Sequence, residues 1–189
     1  MTACAVTPDG RHVVSASADQ TLKAWELGTG RAVTTLEGHA RGVTACAVTP
    51  DGQYVVSASL DQMLKVWELG SGCAVATLAG HTAWVNACAV TPDGRHVVSA
   101  SNDQTIKVWD LATYTCRITH RGDVLYLAIA VSATTVIAGA GSGAVWFLDL
   151  PPAARSPYQP AQSSSARRPR WWSRLLARVS GPTDPWRRS

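Results

Sequence analysis

Four residues of the chain carry side chains that could do chemistry together: His39, Ser57, Asp61 and Trp67. A serine becomes a nucleophile when a histidine takes its proton and an acidic residue orients that histidine. Such a set would support the hydrolysis of an ester or an amide. The same residue types also form buried hydrogen-bond relays that tie loops to strands, because buried polar groups need partners.

The set recurs at a fixed interval, and this favours the structural interpretation. A complete second set lies 42 residues further on, and a partial set precedes the first: the members are His81, Ser99, Asp103 and Trp109, and then Ser15, Asp19 and Trp25. A catalytic group has no reason to recur at equal spacing in successive units. We therefore predict no catalytic residue and interpret each set as a structural tetrad. A hydrolase that uses these sets is the least favoured function.

Each repeat carries the signals of four short β-strands separated by turns. In the second repeat these strands are predicted at residues 43–49, 54–59, 63–68 and 73–78. The Pro50-Asp51-Gly52 turn combines a fixed φ with a residue that accepts a positive φ. A four-stranded unit with a period near 42 residues is typical of a β-propeller blade, which must stack on neighbouring blades to bury its faces.

The repeats divide residues 1–150 into four predicted blades, with bounds at 1–36, 43–78, 85–119 and 124–150. The first blade begins after the position of the tetrad histidine. The pattern ends at two consecutive prolines after residue 150, so the last blade is predicted to lack its outer strand.

The fourth blade is degenerate. Its sequence aligns His120 with His81 and Val124 with Val85, and it places Ala138, Ser142 and Leu148 at the other tetrad positions. Trp146 and Phe147 are predicted to supply replacement bulk for the core. This blade should be the least stable of the four.

The Gly-His pair, the later Asp and the closing Trp-Glu or Trp-Asp resemble the WD-repeat family of β-propellers. The resemblance covers roughly residues 1–150. It implies an all-β fold, a partial WD-repeat propeller of about four four-stranded antiparallel blades. It also implies structural tetrads and a non-catalytic protein-interaction scaffold or sensor without a cofactor. The wording of the repeats resembles C-terminal propellers of bacterial NACHT- or TIR-type signalling proteins.

Candidate binding residues lie in the variable loops between blades. Arg41, Trp84 and Arg121 are candidates for contact with a partner protein, since tryptophan and arginine are enriched at interface hot spots. Trp84 has an alternative role in packing between blades. No metal site is predicted, because His12 and His96 share a repeat position that Tyr54 fills in the second repeat.

The C-terminal region differs from the repeats in composition. Residues 151–166 are predicted to form a disordered linker, and residues 167–189 a disordered basic tail. Residues 1–150 carry 9 Lys and Arg against 12 Asp and Glu, whereas residues 151–189 carry 8 Arg against one Asp. A stripe of arginines beside paired tryptophans indicates an alternative function, anchoring to an anionic membrane or nucleic acid. Its residues are Arg170, Trp171, Trp172, Arg174 and Arg178. The tail could equally be an unselected extension.

Compartment and assembly follow from cysteine usage and blade number. Cys4, Cys46 and Cys88 occupy equivalent positions and are interpreted as small buried hydrophobic residues, which fits a reducing compartment and a cytoplasmic protein. No apolar run reaches the length of a membrane helix, and no signal peptide opens the sequence. WD-repeat rings usually have seven blades. We therefore expect either a fragment of a longer propeller or copies that associate to complete a ring.

Overall fold

The computed structural model describes residues 1–150, which form fifteen β-strands and no helix. The predicted linker and basic tail, with their candidate anionic-surface residues, lie outside the described residues. Within residues 1–150 no helix is long and apolar enough to cross a membrane.

The strands form four antiparallel sheets, which we call blades 1 to 4 in chain order. In each blade the strands pair in the order in which they occur in the chain. Blade 1 comprises β1 (Ala3–Val6), β2 (His12–Ala16), β3 (Leu22–Glu26) and β4 (Ala32–Leu36). Blade 2 comprises β5 (Val43–Val48), β6 (Tyr54–Ser59), β7 (Leu64–Glu68) and β8 (Ala74–Leu78). Blade 3 comprises β9 (Val85–Val90), β10 (His96–Ser101), β11 (Thr105–Asp110) and β12 (Thr115–Arg121). Blade 4 comprises β13 (Tyr126–Val131), β14 (Thr135–Ala140) and β15 (Val145–Asp149), so within the described residues its outer strand is absent, as predicted.

The turn between the first two strands of a blade is fixed by its own side chains. In blade 2, the Thr49 hydroxyl donates to Asp51, whose carboxylate also accepts the backbone N–H of Gln53 at 3.0 Å. Gly52 takes a φ of +73°, which glycine adopts without strain. The same Thr-Pro-Asp-Gly turn closes blades 1 and 3, so three blades enter their second strand with the same geometry.

Consecutive blades meet along their innermost strands through one repeated contact. The side chains of Thr2, Thr44 and Asn86 donate to the carbonyl oxygens of Val43, Val85 and Tyr126 at 2.7, 2.6 and 2.8 Å respectively. Each contact joins the first strand of one blade to the first strand of the next. The four blades therefore stand side by side as successive blades about one axis.

Each blade has a forward face, toward the next blade, and a backward face, toward the preceding one. The backward face of blade 2 buries Cys46, Val55 and Trp67 against the forward face of blade 1, which presents Val14, Ala16, Leu22 and Ala24. Blade 3 repeats this packing with Cys88, Val97 and Trp109 against Val56, Ala58, Leu64 and Val66. A bulky backward face thus fills a flat forward face rich in Ala and Val.

Strand register corrects the alignment of blade 4. Tyr126 accepts the hydrogen bond from Asn86 that Val85 accepts from Thr44, and it pairs with Ala140 as Val85 pairs with Ser101. The predicted match of Val124 with Val85 was therefore wrong. The two missing residues belong to the turn after β13, which closes tightly through a 2.8 Å bond from Ser132 N–H to the Thr135 carbonyl.

The match of His120 with His81 was wrong for the same reason. His120 lies within β12, which extends to Arg121 rather than ending at residue 119, and pairs with Ile106 as Leu78 pairs with Leu64. It therefore occupies the position of an outer-strand leucine. Gly122 stands in the position of the tetrad histidine.

The two aromatic residues of β15 lie on opposite faces. Trp146 packs against the cluster between blades 3 and 4, but Phe147 points to the forward face and is 50% exposed. The prediction that both supply core bulk was therefore wrong for Phe147. The Tyr126 hydroxyl and the Trp146 indole nitrogen are buried without a hydrogen-bond partner.

Candidate functional site

The four residues of the first complete set form a continuous relay in blade 2. The Trp67 indole N–H donates to Ser57 Oγ at 2.8 Å, and Ser57 Oγ lies 2.7 Å from His39 Nε2. His39 Nδ1 lies 2.7 Å from Asp61 Oδ2. The relay connects the loop entering β5, two central strands and the turn between them.

Blade 3 repeats the relay with nearly identical distances. Trp109 Nε1 to Ser99 Oγ measures 2.9 Å, and His81 lies 2.8 Å from both Ser99 Oγ and Asp103 Oδ2. Asp103 differs from Asp61 in accepting a further hydrogen bond from the Thr105 hydroxyl.

The electrostatics of both relays favour a neutral histidine and an ionised aspartate. Burial lowers the pKa of His39 and His81, and the hydrogen bond to aspartate only partly offsets it. Burial alone would raise the pKa of Asp103, but hydrogen bonds from Thr105, His81 and the Thr82 N–H hold that pKa at about 2. Nδ1–H therefore donates to the carboxylate, and Nε2 accepts the serine O–H.

The accessibility of the serines decides what the relays can do chemically. Ser57 and Ser99 are both 0% exposed, and each hydroxyl oxygen also accepts a tryptophan N–H. A substrate carbonyl has no path to either oxygen. The arrangement can therefore hold a loop against two strands, but it cannot present a nucleophile.

The partial set of blade 1 is brought together only in part. Trp25 Nε1 donates to Ser15 Oγ at 2.8 Å, whereas the exposed Asp19 accepts only from the backbone and hydroxyl of Thr21. In blade 4 the corrected register places Gly122, Ala138, Ser142 and Leu148 at the four positions, so that blade has no tetrad.

The tetrad histidines lie at the end of the blades that carries the candidate partner-binding residues. In a four-stranded antiparallel blade, the central turn and the connection to the next blade lie at the same end. We call this the loop end. Arg41 and Trp84 lie in the connections that follow blades 1 and 2, and Arg121 lies at the last residue of β12. Trp84 is 48% exposed, and both arginines are exposed.

The backbone around Trp84 is fixed at three points. Its carbonyl accepts the Asn102 N–H at 2.9 Å, the Ala83 carbonyl accepts the Ser101 hydroxyl at 3.3 Å, and Asp103 accepts the Thr82 N–H at 3.0 Å. The third bond attaches the loop to the carboxylate of the blade 3 tetrad. An exposed indole is thus held on a rigid loop.

The opposite end of the blades contains two grooves that the sequence reasoning missed. One, about 520 Å³, lies between blades 2 and 3 and is lined by Tyr54, His96, Tyr114 and Arg117, among others. Its equivalent between blades 1 and 2 measures about 470 Å³. The signal was present in the repeated turns, but only the stacking of blades shows that they enclose space. In residues 1–150 no group of three or more His, Cys, Asp or Glu is placed to hold a metal ion.

Comparison with known proteins agrees with this geometry. The WD40 family, described as "WD domain, G-beta repeat", matches residues 1–26, 30–68 and 72–110, more than half of the chain. The chain belongs to this family. A search of curated protein sequences found no match.

Solved structures show the same fold. "Structure of U3-55K" is 25% identical with a TM-score of 0.76 and aligns with 79% of this chain and 48% of its own. "Crystal structure of RRP9 WD40 repeats" is 26% identical with a TM-score of 0.75, and aligns with 77% of this chain and 47% of its own. The chain thus spans about half the length of these structures. The predicted all-β partial WD-repeat propeller is confirmed. WD40 propellers generally act as non-catalytic scaffolds that bind other proteins.

Proposed function

We propose that this protein is a non-catalytic scaffold that binds a partner protein at its loop end. Trp84 is the anchor of this surface, with Arg41 and Arg121 at its sides. A partner that fits would present an apolar residue to the indole and carboxylates to the arginines, because arginine pairs carboxylates in bidentate geometry.

The observation that supports the proposal is the exposed indole on a backbone fixed at three points. An exposed tryptophan on a mobile loop loses conformational entropy when it binds, and that loss weakens the complex. Here the loop is ordered before the partner arrives. The buried tetrads contribute by holding the connections between blades in place, which is a structural role.

The test is selection of peptide ligands on the immobilised full chain, followed by calorimetric measurement of Kd for the selected peptides. Trp84→Ala should weaken binding about 30-fold or more, the effect of losing a hot-spot residue worth about 2 kcal/mol. The melting temperature should not change, since alanine retains the carbonyl that Asn102 binds.

Tyr114→Ala is the matched control, because Tyr114 is 39% exposed and lies at the opposite end of the blades. It should leave the affinity unchanged. Peptides whose affinity depends on Tyr114 and not on Trp84 would move the binding site to the groove between blades 2 and 3 and contradict the proposal.

We also propose that the scaffold serves a cytoplasmic signalling protein of the bacterial NACHT or TIR type. The wording of the repeats supports the resemblance, and the free state of all five cysteines supports a reducing compartment. Sequencing the flanking genomic region tests this directly. Flanking sequence that encodes no such domain would contradict it.

A further inference from the structure

The two end blades leave one face each without a neighbour among the described residues. The apolar clusters join blade 1 to 2, 2 to 3 and 3 to 4, and none of them joins blade 4 to blade 1. The backward face of blade 1 and the forward face of blade 4 are therefore the two ends of an arc. The loop end is a different surface, so the role of these two faces is independent of the proposed function.

The open backward face of blade 1 has the residues of a buried interface. Cys4, Val6, Val13 and Trp25 occupy the positions of Cys46, Val48, Val55 and Trp67 in blade 2, with the same strand pairing. In blade 2 this face is covered and Trp67 is 1% exposed; in blade 1 it is open and Val6 is 56% exposed. The face is thus built to pack against a forward face.

The open forward face of blade 4 matches the forward face of blade 3 at six positions. The residues of blade 4 are Ala128, Ala130, Ile137, Gly139, Val145 and Phe147, and their counterparts in blade 3 are Ala87, Ala89, Val98, Ala100, Ile106 and Val108. All six counterparts contribute to the packing between blades 3 and 4 or lie next to it. Although blade 4 has lost the tetrad, it has kept the apolar forward face. A surface that packs against nothing would not need this pattern.

We propose that blade 4 of one copy packs against blade 1 of a second copy, and that the second copy returns the contact, so that two chains close an eight-bladed ring. A backward face fits a forward face and not another backward face, so the contact joins unlike surfaces. Such contacts close only when rotation brings the last unit back to the first. Two copies also supply a length of chain close to that of the solved WD40 structures, of which one copy matches about half.

The interior interfaces define the register of the contact. Cys46 and Cys88 direct their thiols at the carbonyl oxygens of Val14 and Val56 across the blade interfaces, at 3.6 Å in both cases. Ile137 is the counterpart of these valines in blade 4. Cys4 of one copy should therefore lie against Ile137 of the other.

The first experiment is analytical ultracentrifugation of the full chain and three variants. The native chain should sediment at twice its mass of 20.0 kDa. Val6→Glu and Phe147→Glu should each give a monomer, because each places an unpaired carboxylate in one of the two faces. Both side chains are half exposed in a single copy, so the single copy should still fold, with an unchanged circular dichroism spectrum. Val75→Glu is the matched control: Val75 is 42% exposed on a blade with neighbours on both sides, and this variant should remain a dimer.

Mixing the two monomeric variants tests the polarity of the contact. The Val6→Glu chain keeps an intact blade 4 face, and the Phe147→Glu chain keeps an intact blade 1 face, so together they should form a heterodimer with one intact interface. Failure to pair, or a Val6→Glu variant that still dimerises fully, would overturn the head-to-tail arrangement. A native chain that remains a monomer across the concentration range would overturn the proposal altogether.

Cross-linking tests the register. In a Cys73→Ser, Cys116→Ser background, Ile137→Cys should give a covalent dimer with a short bismaleimide through Cys4, and Val75→Cys should not. Equal cross-linking of the two variants would overturn the register.

Discussion

Replacing Asp61 by alanine should destabilise blade 2, and the structure determines by how much. The carboxylate accepts the His39 Nδ1–H at 2.7 Å and the N–H groups of Ala40 and Met63 at 3.0 Å. Ala40 is exposed and can bind water instead, but the His39 side chain is 0% exposed. An unsatisfied buried donor costs about 1–3 kcal/mol. In a chain of this size that corresponds to a melting temperature lower by about 2–12 °C.

The assay is thermal unfolding at one fixed protein concentration, because association shifts apparent stability. Asp19→Ala is the matched control, since Asp19 holds the same repeat position but accepts only from exposed groups of Thr21. Its cost should stay below about 1 kcal/mol. Equal losses for the two variants would refute the relay argument. Unchanged melting of Asp61→Ala together with the loss of an esterase activity would restore the catalytic interpretation.

Three further outcomes are expected. Stability should fall as the pH drops below 6.5, because unfolded histidines bind protons that buried His39 and His81 do not, and fall again between about pH 4 and 2 as Asp103 loses its hydrogen-bonded charge; a flat pH dependence in urea titrations would contradict this. Gly122→Ala should be strongly destabilising, since its Cβ would meet the Tyr126 hydroxyl, and adding Tyr126→Phe should recover part of the melting temperature; no recovery would show that the hydroxyl is not the obstacle. A peptide of residues 166–181 should gain helicity on anionic and not on neutral vesicles, because a helix this short needs a surface to stabilise it; identical circular dichroism spectra would favour an unselected extension.

The regular part of the molecule could be predicted because its signals are local. The Pro50-Asp51-Gly52 turn and the alternation of β6 and β7 specify strands without reference to the rest of the chain. The His39 set could be predicted to converge because identical spacing in two repeats implies identical geometry. The milder effect expected from the sequence for Ser57→Ala needs revision, however. Its oxygen contacts both His39 and Trp67 in full burial, so its removal should cost about as much as that of Asp61.

Blade 4 was misaligned because residue identity and strand register disagree there. His120 is the same residue type as His81, and an alignment by type places the two-residue deletion before β13. Backbone pairing places it after β13, in the turn closed by Ser132 and Thr135. Pairing is a property of two strands at once, and a single segment of sequence does not contain it. The outward direction of Phe147 follows from the same register and was hidden for the same reason.

The absence of a tetrad in blade 4 has a consequence for how the molecule opens. In repeat proteins, stability is close to a sum over units and their interfaces, so a weak terminal unit can open while the others stay folded. Amide protons of β14 should therefore exchange with solvent through detachment of one blade, whereas those of β6 and β10 should exchange only through global unfolding. In a closed ring of two chains, blade 4 lies at both seams. The ring could then open and exchange subunits by melting a single three-stranded sheet, while the loop end of blades 1 to 3 keeps its shape throughout.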